Sequence, residues 1–140
     1  GELLIKNKKI KYKKINSLIS KFELDAVRDV RASYLSGGQK KRLVIALSLL
    51  GNPKILLLDE PFAALDIMTI KTLQKIIVNL QSENNITIIL CDHQARDLLS
   101  CVDIAIVLSN CKVVASGTPS ELINNNEAKT AYFGDSFKIN

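Results

Sequence analysis

Two short segments constrain the fold and chemistry of this chain more than any other feature of its sequence. One of them is the apolar run Ile55–Leu58, which is followed by the adjacent carboxylates of Asp59 and Glu60. Ligands of open α/β sheets bind outside the carboxyl ends of the strands, so two charges at such an end indicate a site. The other segment lies earlier in the chain, just before an apolar run, and contains two glycines and a serine. At the start of a helix, bare backbone N–H groups attract phosphate. This segment consists of Leu35, Ser36, Gly37, Gly38 and Gln39.

The composition indicates one globular domain without a membrane span. The chain has 140 residues, 47% of them apolar, and a mean hydropathy of +0.14, which makes disorder improbable. No stretch approaches the roughly 18 consecutive apolar residues that a span needs. The net charge of +5 comes largely from lysines near the amino end. Because Tyr12 is the single aromatic residue among these lysines, too few for a base-stacking surface, we interpret them as a solvated helix face and expect no nucleic-acid partner.

The three cysteines do not form a metal-binding pattern. Cys91, Cys101 and Cys111 are widely spaced, no CxxC pair occurs, and His93 is the only histidine. A zinc site is therefore not expected. Their apolar surroundings favour buried free thiols in a reducing compartment.

Hydrophobic periodicity predicts an α/β fold with a mainly parallel sheet, because strands and helices alternate along the chain. Two uniformly apolar strands should be covered on both faces, and the helix that follows Gly38 should be buried almost all round. The two strands are Lys54–Leu58 and Ile86–Leu90. The helices are expected at Ile15–Phe22, Leu43–Leu50, Leu73–Leu80, His93–Ser100 and from Thr118, with a hairpin joining Ile104–Leu108 to Val113–Ala115.

The segment that begins at Ser36 has two interpretations. Ser36 and Gln39 have the spacing of a capping box, which would only stabilise a helix start by about 1 kcal/mol. The glycines at 37 and 38 destabilise a helix start, whereas close approach of the backbone to a phosphate requires them. The glycines favour the phosphate interpretation.

The order of these segments, followed by Ala64-Leu65-Asp66 and His93, resembles the second half of an ATP-binding-cassette (ABC) ATPase domain, a P-loop NTPase fold. The resemblance implies that Leu35–Gln39 binds ATP held by a second copy in a homodimer. It implies that Asp59 supports Mg²⁺ through water and that Glu60 is the general base. Asp66 would couple the two sites of the dimer, and His93 would contact the γ-phosphate.

The resemblance also implies cofactors, partners and location. ATP and Mg²⁺ would be bound, and the ATPase would lie in the cytoplasm on the inner face of the cell membrane, attached to transmembrane transporter subunits. Residues 1–36 would end a helical subdomain, and residues 37–140 would form the carboxyl-terminal part of the ATPase core. The tail Ala131–Ile139 is similar to that of the ATPases of bacterial lipopolysaccharide export.

The sequence lacks one motif of the family pattern and differs from it at two positions of the helix that follows Gly38. No G-x-x-x-x-G-K-[ST] P-loop occurs, and the chain begins at Gly1 with Met68 as its sole methionine. We therefore expect a part of a longer protein that is inactive alone. Val44 and Leu47 stand where the family usually has a glutamate and an arginine. One lobe of a chromosome-maintenance or DNA-repair ATPase, or a non-catalytic remnant, remains as an alternative.

Overall fold

The computed structural model describes residues 2–134, with side chains from residue 9 onward except that of residue 84. This part of the chain forms two compact units. The first comprises residues 2–58 and 64–89, and the second comprises residues 59–63 and 90–134. Among the described helices, none is both long and apolar enough to cross a membrane. The boundary expected between residues 36 and 37 stays a prediction.

The first unit combines three helices with most of two paired strands. The helices are α1 (Glu2–Lys21), α2 (Gly37–Ser48) and α3 (Ile67–Asn84), and the strands are β1 (Ile55–Asp59) and β2 (Thr87–Cys91). The strands run parallel, since Thr87 N–H donates to the Lys54 carbonyl (2.9 Å) at one end and Glu60 N–H to the Cys91 carbonyl (2.8 Å) at the other. The predicted stripe of α3 is buried: Leu73, Ile76, Ile77 and Leu80.

The expectation that both strands are covered on both faces is wrong for this chain. Leu56 is buried, but Ile55 and Leu57, which point to the other side of β1, are 58% and 71% exposed. In β2, Ile89 is also exposed. In the described part of the chain β1 and β2 form a two-stranded sheet, and the exposure of Ile55 and Leu57 shows that one of its faces has no covering layer.

Helix α2 also differs from its expectation. Ile45 and Ala46 are buried, whereas Val44 and Leu47 are exposed. A helix at the surface of a small unit packs along one stripe, so the apolar residues on its other side remain in water. Helix α1 begins at Glu2, well before the predicted start at Ile15, because its lysine-rich first half has no apolar stripe from which to predict it.

The second unit is built on an antiparallel hairpin of β3 (Ala105–Ser109) and β4 (Lys112–Gly117). Asn110 and Cys111 both have positive φ (49° and 60°), the geometry of a type I′ turn, which confirms the predicted hairpin. Three short helices accompany it: α4 (Ala95–Leu99), α5 (Pro119–Asn124) and α6 (Asn126–Ala128), followed by a π-helical turn at Lys129–Phe133. The core consists of Leu99, Val107, Ala115, Leu122 and Ala128.

Two local predictions in this unit have different outcomes. The predicted helix start at Thr118 is confirmed, with reciprocal hydrogen bonds between Thr118 and Glu121 and a proline in the first turn. The prediction of buried thiols is wrong for Cys91 and Cys111, which are exposed, because Cys91 ends β2 and Cys111 lies in the hairpin turn. Cys101 is half-buried.

Candidate active site

The segment at the start of α2 forms a complete capping box. Ser36 Oγ accepts the Gln39 N–H (3.2 Å), and Gln39 Oε1 accepts the Ser36 N–H (2.9 Å). Leu35, just before it, is buried and anchors the turn. Ser36 and Gln39 therefore form the capping box that their spacing indicates. The turn is open on its outer side at Gly37, where an added Cβ would meet no atom within 4 Å.

Gly38 has a packing role that sequence reasoning missed. A Cβ at this position would lie 2.6 Å from Cγ2 of Thr69, at the start of α3. The Thr69 side chain is held in place because its hydroxyl donates to Asp66 Oδ2 (2.6 Å). Contact between helices thus explains the glycine at position 38. For Gly37 the structure gives no packing explanation, so close approach of a phosphate remains the interpretation of that glycine.

Asp66 is the amino-terminal cap of α3. Its carboxylate accepts the Thr69 hydroxyl and, through Oδ1, the Thr69 N–H (3.0 Å). These bonds favour the charged form, so they lower the pKa of Asp66 below its ordinary value. The hydrogen bonds from Thr69 therefore fix the orientation of Asp66, the predicted coupling residue.

Glu60 directly follows β1 and has a strained backbone conformation. Its φ is +46°, a left-handed value that a non-glycine residue adopts at a cost of about 1–2 kcal/mol. Its N–H is bonded to the Cys91 carbonyl, and its own carbonyl accepts the Ala63 N–H (3.3 Å). Strain of this kind clusters at functional sites, and here it turns the chain sharply after the strand.

Glu60 and His93 meet within the second unit. Glu60 Oε1 lies 3.4 Å from His93 Nδ1, and the two side chains are 58% and 64% exposed. A carboxylate beside an imidazole, both open to solvent, can accept a proton from water and share it with a neighbour. These are the two residues that the resemblance identifies as catalytic.

The side chain of Asp92 is fully buried and organises the loop around His93. Its Oδ2 accepts the Phe62 N–H and its Oδ1 accepts the Gln94 N–H, both at 2.9 Å. Sequence reasoning missed this residue. The available signal was an aspartate three residues before the first residue of α4 and two before Gln94, the spacing of an Asx-turn.

Asp59 lies at the exposed carboxyl end of β1. In the part of the chain that the structure describes, no group of three or more His, Cys, Asp or Glu side chains could hold a metal ion. Mg²⁺ typically keeps several waters and is held by one or two carboxylates together with substrate phosphates. A single exposed carboxylate at a strand end fits that mode of binding.

The predicted site residues divide between the two units. Leu35–Gln39 and Asp66 belong to the first, where Thr69 connects them through Gly38. Asp59, Glu60 and His93 belong to the second. Each unit therefore brings together its own subset of the residues that the resemblance singles out.

Comparison with known proteins shows a likeness to ABC transporter proteins. The sequence pattern of the ABC transporter family matches residues 2–63. The lipopolysaccharide export system ATP-binding protein LptB of Haemophilus influenzae is 36% identical over 126 residues, which are 90% of this chain and 52% of that protein. LptB of Escherichia coli is 34% identical over 124 residues, 89% of this chain and 51% of the relative. The chain is similar to the ATP-binding proteins of ABC transporters.

Solved structures agree with this likeness. The ABC transporter component cbiO1 of Clostridium perfringens superposes with a TM-score of 0.76 at 33% identity, covering 85% of this chain and 47% of that one. The ATP-binding cassette MJ1267, at 24% identity, shares the fold with a TM-score of 0.78, covering 89% of this chain and 50% of the other. The predicted α/β fold class of ABC ATPases is thereby confirmed. The chain spans about half the length of the curated relatives it matches.

Proposed function

We propose that this chain supplies the hydrolytic part of the ATP-binding subunit of an ABC transporter. The observation that carries the proposal is the 3.4 Å approach of Glu60 to His93, side by side after two parallel strands. Likeness to the ATP-binding proteins of ABC transporters supports a chemical role for this pair. In this reading Glu60 polarises the water that attacks ATP, and His93 contacts the γ-phosphate.

Asp59 and the first unit complete the assignment. Asp59 would hold Mg²⁺ through water, and the ion would neutralise charge on the phosphates. Leu35–Gln39 would grip the ATP bound to a second copy, with the backbone of Gly37 facing the phosphate, since Gly37 has open space beside it. Asp66 would couple the two sites. The functional unit would be a homodimer on the cytoplasmic face of a membrane, attached to transmembrane subunits.

We further propose lipopolysaccharide export as the transport process. Two observations support it: the likeness to LptB over about nine-tenths of this chain, and the similar tail Ala131–Ile139, of which residues 135–139 lie outside the described residues. The spermidine/putrescine import ATP-binding protein PotA of Spiroplasma citri is also 39% identical over 138 residues, 94% of this chain and 39% of that protein. Identity alone therefore does not select the substrate.

The test compares the chain alone with a chimera. The 140-residue chain should bind Mg·ATP weakly by calorimetry and hydrolyse none, because it contains no P-loop. A chimera in which this chain replaces the matching part of Haemophilus LptB should hydrolyse ATP. Micromolar affinity of the chain alone, or a folded chimera without ATPase activity, would contradict the proposal.

The export proposal is tested with the same design. The LptB chimera should support lipopolysaccharide export when it replaces LptB in Haemophilus influenzae. A chimera that hydrolyses ATP but fails to export would leave the ATPase assignment intact and remove the assignment of substrate.

A further inference from the structure

The carboxyl-terminal segment of the second unit is bonded to the loop that carries His93. Tyr132 Oη donates a hydrogen bond to the backbone carbonyl of His93 (2.8 Å). The same carbonyl accepts the Ala95 N–H (3.1 Å) at the start of α4. The position of the His93 peptide is therefore determined by a residue that lies far from it in the sequence.

Tyr132 is 46% exposed and is connected to the core of this unit through Phe133. Its ring stands edge-on to Phe133, with ring centroids 5.6 Å apart and an angle of 83° between the planes. Phe133 packs against the cluster that contains Leu122 and Ala128. The phenol is thus a fixed donor, since its ring is braced by an edge-to-face contact of the kind that stabilises aromatic pairs.

The loop between Cys91 and Ala95 has a second attachment, on its other side. The buried carboxylate of Asp92 accepts the Phe62 and Gln94 N–H groups. With Asp92 holding one end and Tyr132 holding the carbonyl of the next residue, the loop presents the imidazole of His93 toward Glu60. Partial burial of the phenol, and after it the charge of Asp92, raise the pKa of Tyr132 and so favour the protonated hydroxyl that acts as donor.

We propose that Tyr132 is a positioning residue for His93, which holds the His93 peptide so that the imidazole stays beside Glu60. The catalytic consequence rests on the proposed function, whereas the positioning itself does not. Tyr132 belongs to the tail segment whose role the ATPase assignment leaves unexplained. In this account the carboxyl-terminal segment is a structural support of the hydrolytic pair.

The test uses the single histidine of the chain. Histidine labelled with ¹³C at the carbonyl and ¹⁵N in the ring gives one signal set in the 140-residue chain, in solution or as a hydrated sediment. Tyr132→Phe removes the hydroxyl and keeps the ring. Tyr12→Phe, at an exposed tyrosine of α1, is the matched control.

Tyr132→Phe should shift the His93 carbonyl resonance upfield and move the ring ¹⁵N resonances of the imidazole, and Tyr12→Phe should change neither. An unchanged carbonyl resonance in Tyr132→Phe, or an equal shift in the control, would overturn the proposal. Global unfolding of Tyr132→Phe would also overturn it, because the hydroxyl would then serve the whole unit.

The LptB chimera gives the functional measurement. Tyr132→Phe should lower kcat for ATP several-fold while leaving KM unchanged, because it disturbs the hydrolytic pair and not the binding of nucleotide. A normal kcat beside a shifted carbonyl would overturn the catalytic consequence. A parent chimera without any ATPase activity would instead refute the proposed function and leave the spectroscopic result standing.

Discussion

Gly38 and Thr69 are in such close contact that the first position cannot carry a side chain without moving the second. A Cβ on residue 38 would approach the Thr69 methyl group to 2.6 Å, closer than real Cβ contacts come. The Thr69 rotamer is fixed by its hydrogen bonds to Asp66. The start of α2 and the cap of α3 are therefore mechanically connected.

Gly38→Ala should destabilise the first unit by about 1–3 kcal/mol, the usual cost of overpacking. Gly37→Ala, with open space around it, should be neutral or slightly stabilising, because alanine favours helices over glycine. Urea denaturation midpoints measure both effects.

The double variant Gly38→Ala/Thr69→Ser tests the cause. Serine keeps the hydroxyl that caps α3 and lacks the methyl group that clashes, so most of the loss should be recovered. An equal cost of Gly38→Ala in the threonine and serine backgrounds would mean that the contact with Thr69 is not responsible.

Asp92→Ala should cost about 1–3 kcal/mol, because it leaves the Phe62 and Gln94 N–H groups without their acceptor. Asp29→Ala, at an exposed aspartate, should stay within about 0.5 kcal/mol of the parent chain. Thermal unfolding of the two variants measures the difference. Equal stability of both would show that the buried carboxylate does not organise this loop.

The three thiols should differ in reactivity. Burial, assisted by the charges of Asp97 and Asp92, raises the pKa of Cys101 to about 11, whereas Cys91 and Cys111 are exposed. The thiolate is the reactive form, so iodoacetamide at pH 8 should alkylate Cys91 and Cys111 first. Peptide mass spectrometry over time gives the order, and early modification of Cys101 would contradict the described packing.

The free energy of unfolding should fall in acid, because the carboxylates that cap α3 and α5 become protonated. Hydrogen bonds from Thr69 and Thr118 lower the pKa values of Asp66 and Glu121 below their ordinary 3.8 and 4.5. A lowered pKa adds stability above the unfolded value, and that stability is lost as the pH falls through the folded value. Chemical denaturation between pH 6 and pH 2 should show this loss.

Asp66→Asn provides the control for the acid effect. Asparagine caps a helix about as well as aspartate but has no charge to lose. The variant should show a weaker pH dependence below about pH 4. An unchanged acid profile would mean that Asp66 carries no part of it.

The sequence predicted those features that depend on neighbouring residues. The capping boxes at Ser36 and Thr118 and the hairpin turn at Asn110 each depend on a few adjacent residues, and the structure contains all three. The apolar stripe of α3 was also predictable, because its helical period is unambiguous.

Features that depend on distant residues were not predictable. Leu57 is exposed because no layer covers that face of β1, and the sequence of the strand does not tell whether such a layer is present. Gly38 owes its identity partly to Thr69 on another helix, and His93 is held by Tyr132 from the far end of the unit. The family resemblance assigned Glu60 and His93 separate roles, and their approach to 3.4 Å was not predicted from the sequence.

The most direct test of the proposed function is the ATP turnover of the LptB chimera with Glu60→Gln. Glutamine keeps the size of the side chain but cannot act as a base, so hydrolysis should fall by ~10²–10⁴-fold while ATP binding and nucleotide-dependent dimerisation persist. Turnover within about tenfold of the parent chimera, with ATP still bound, would contradict the assignment of Glu60 as the base.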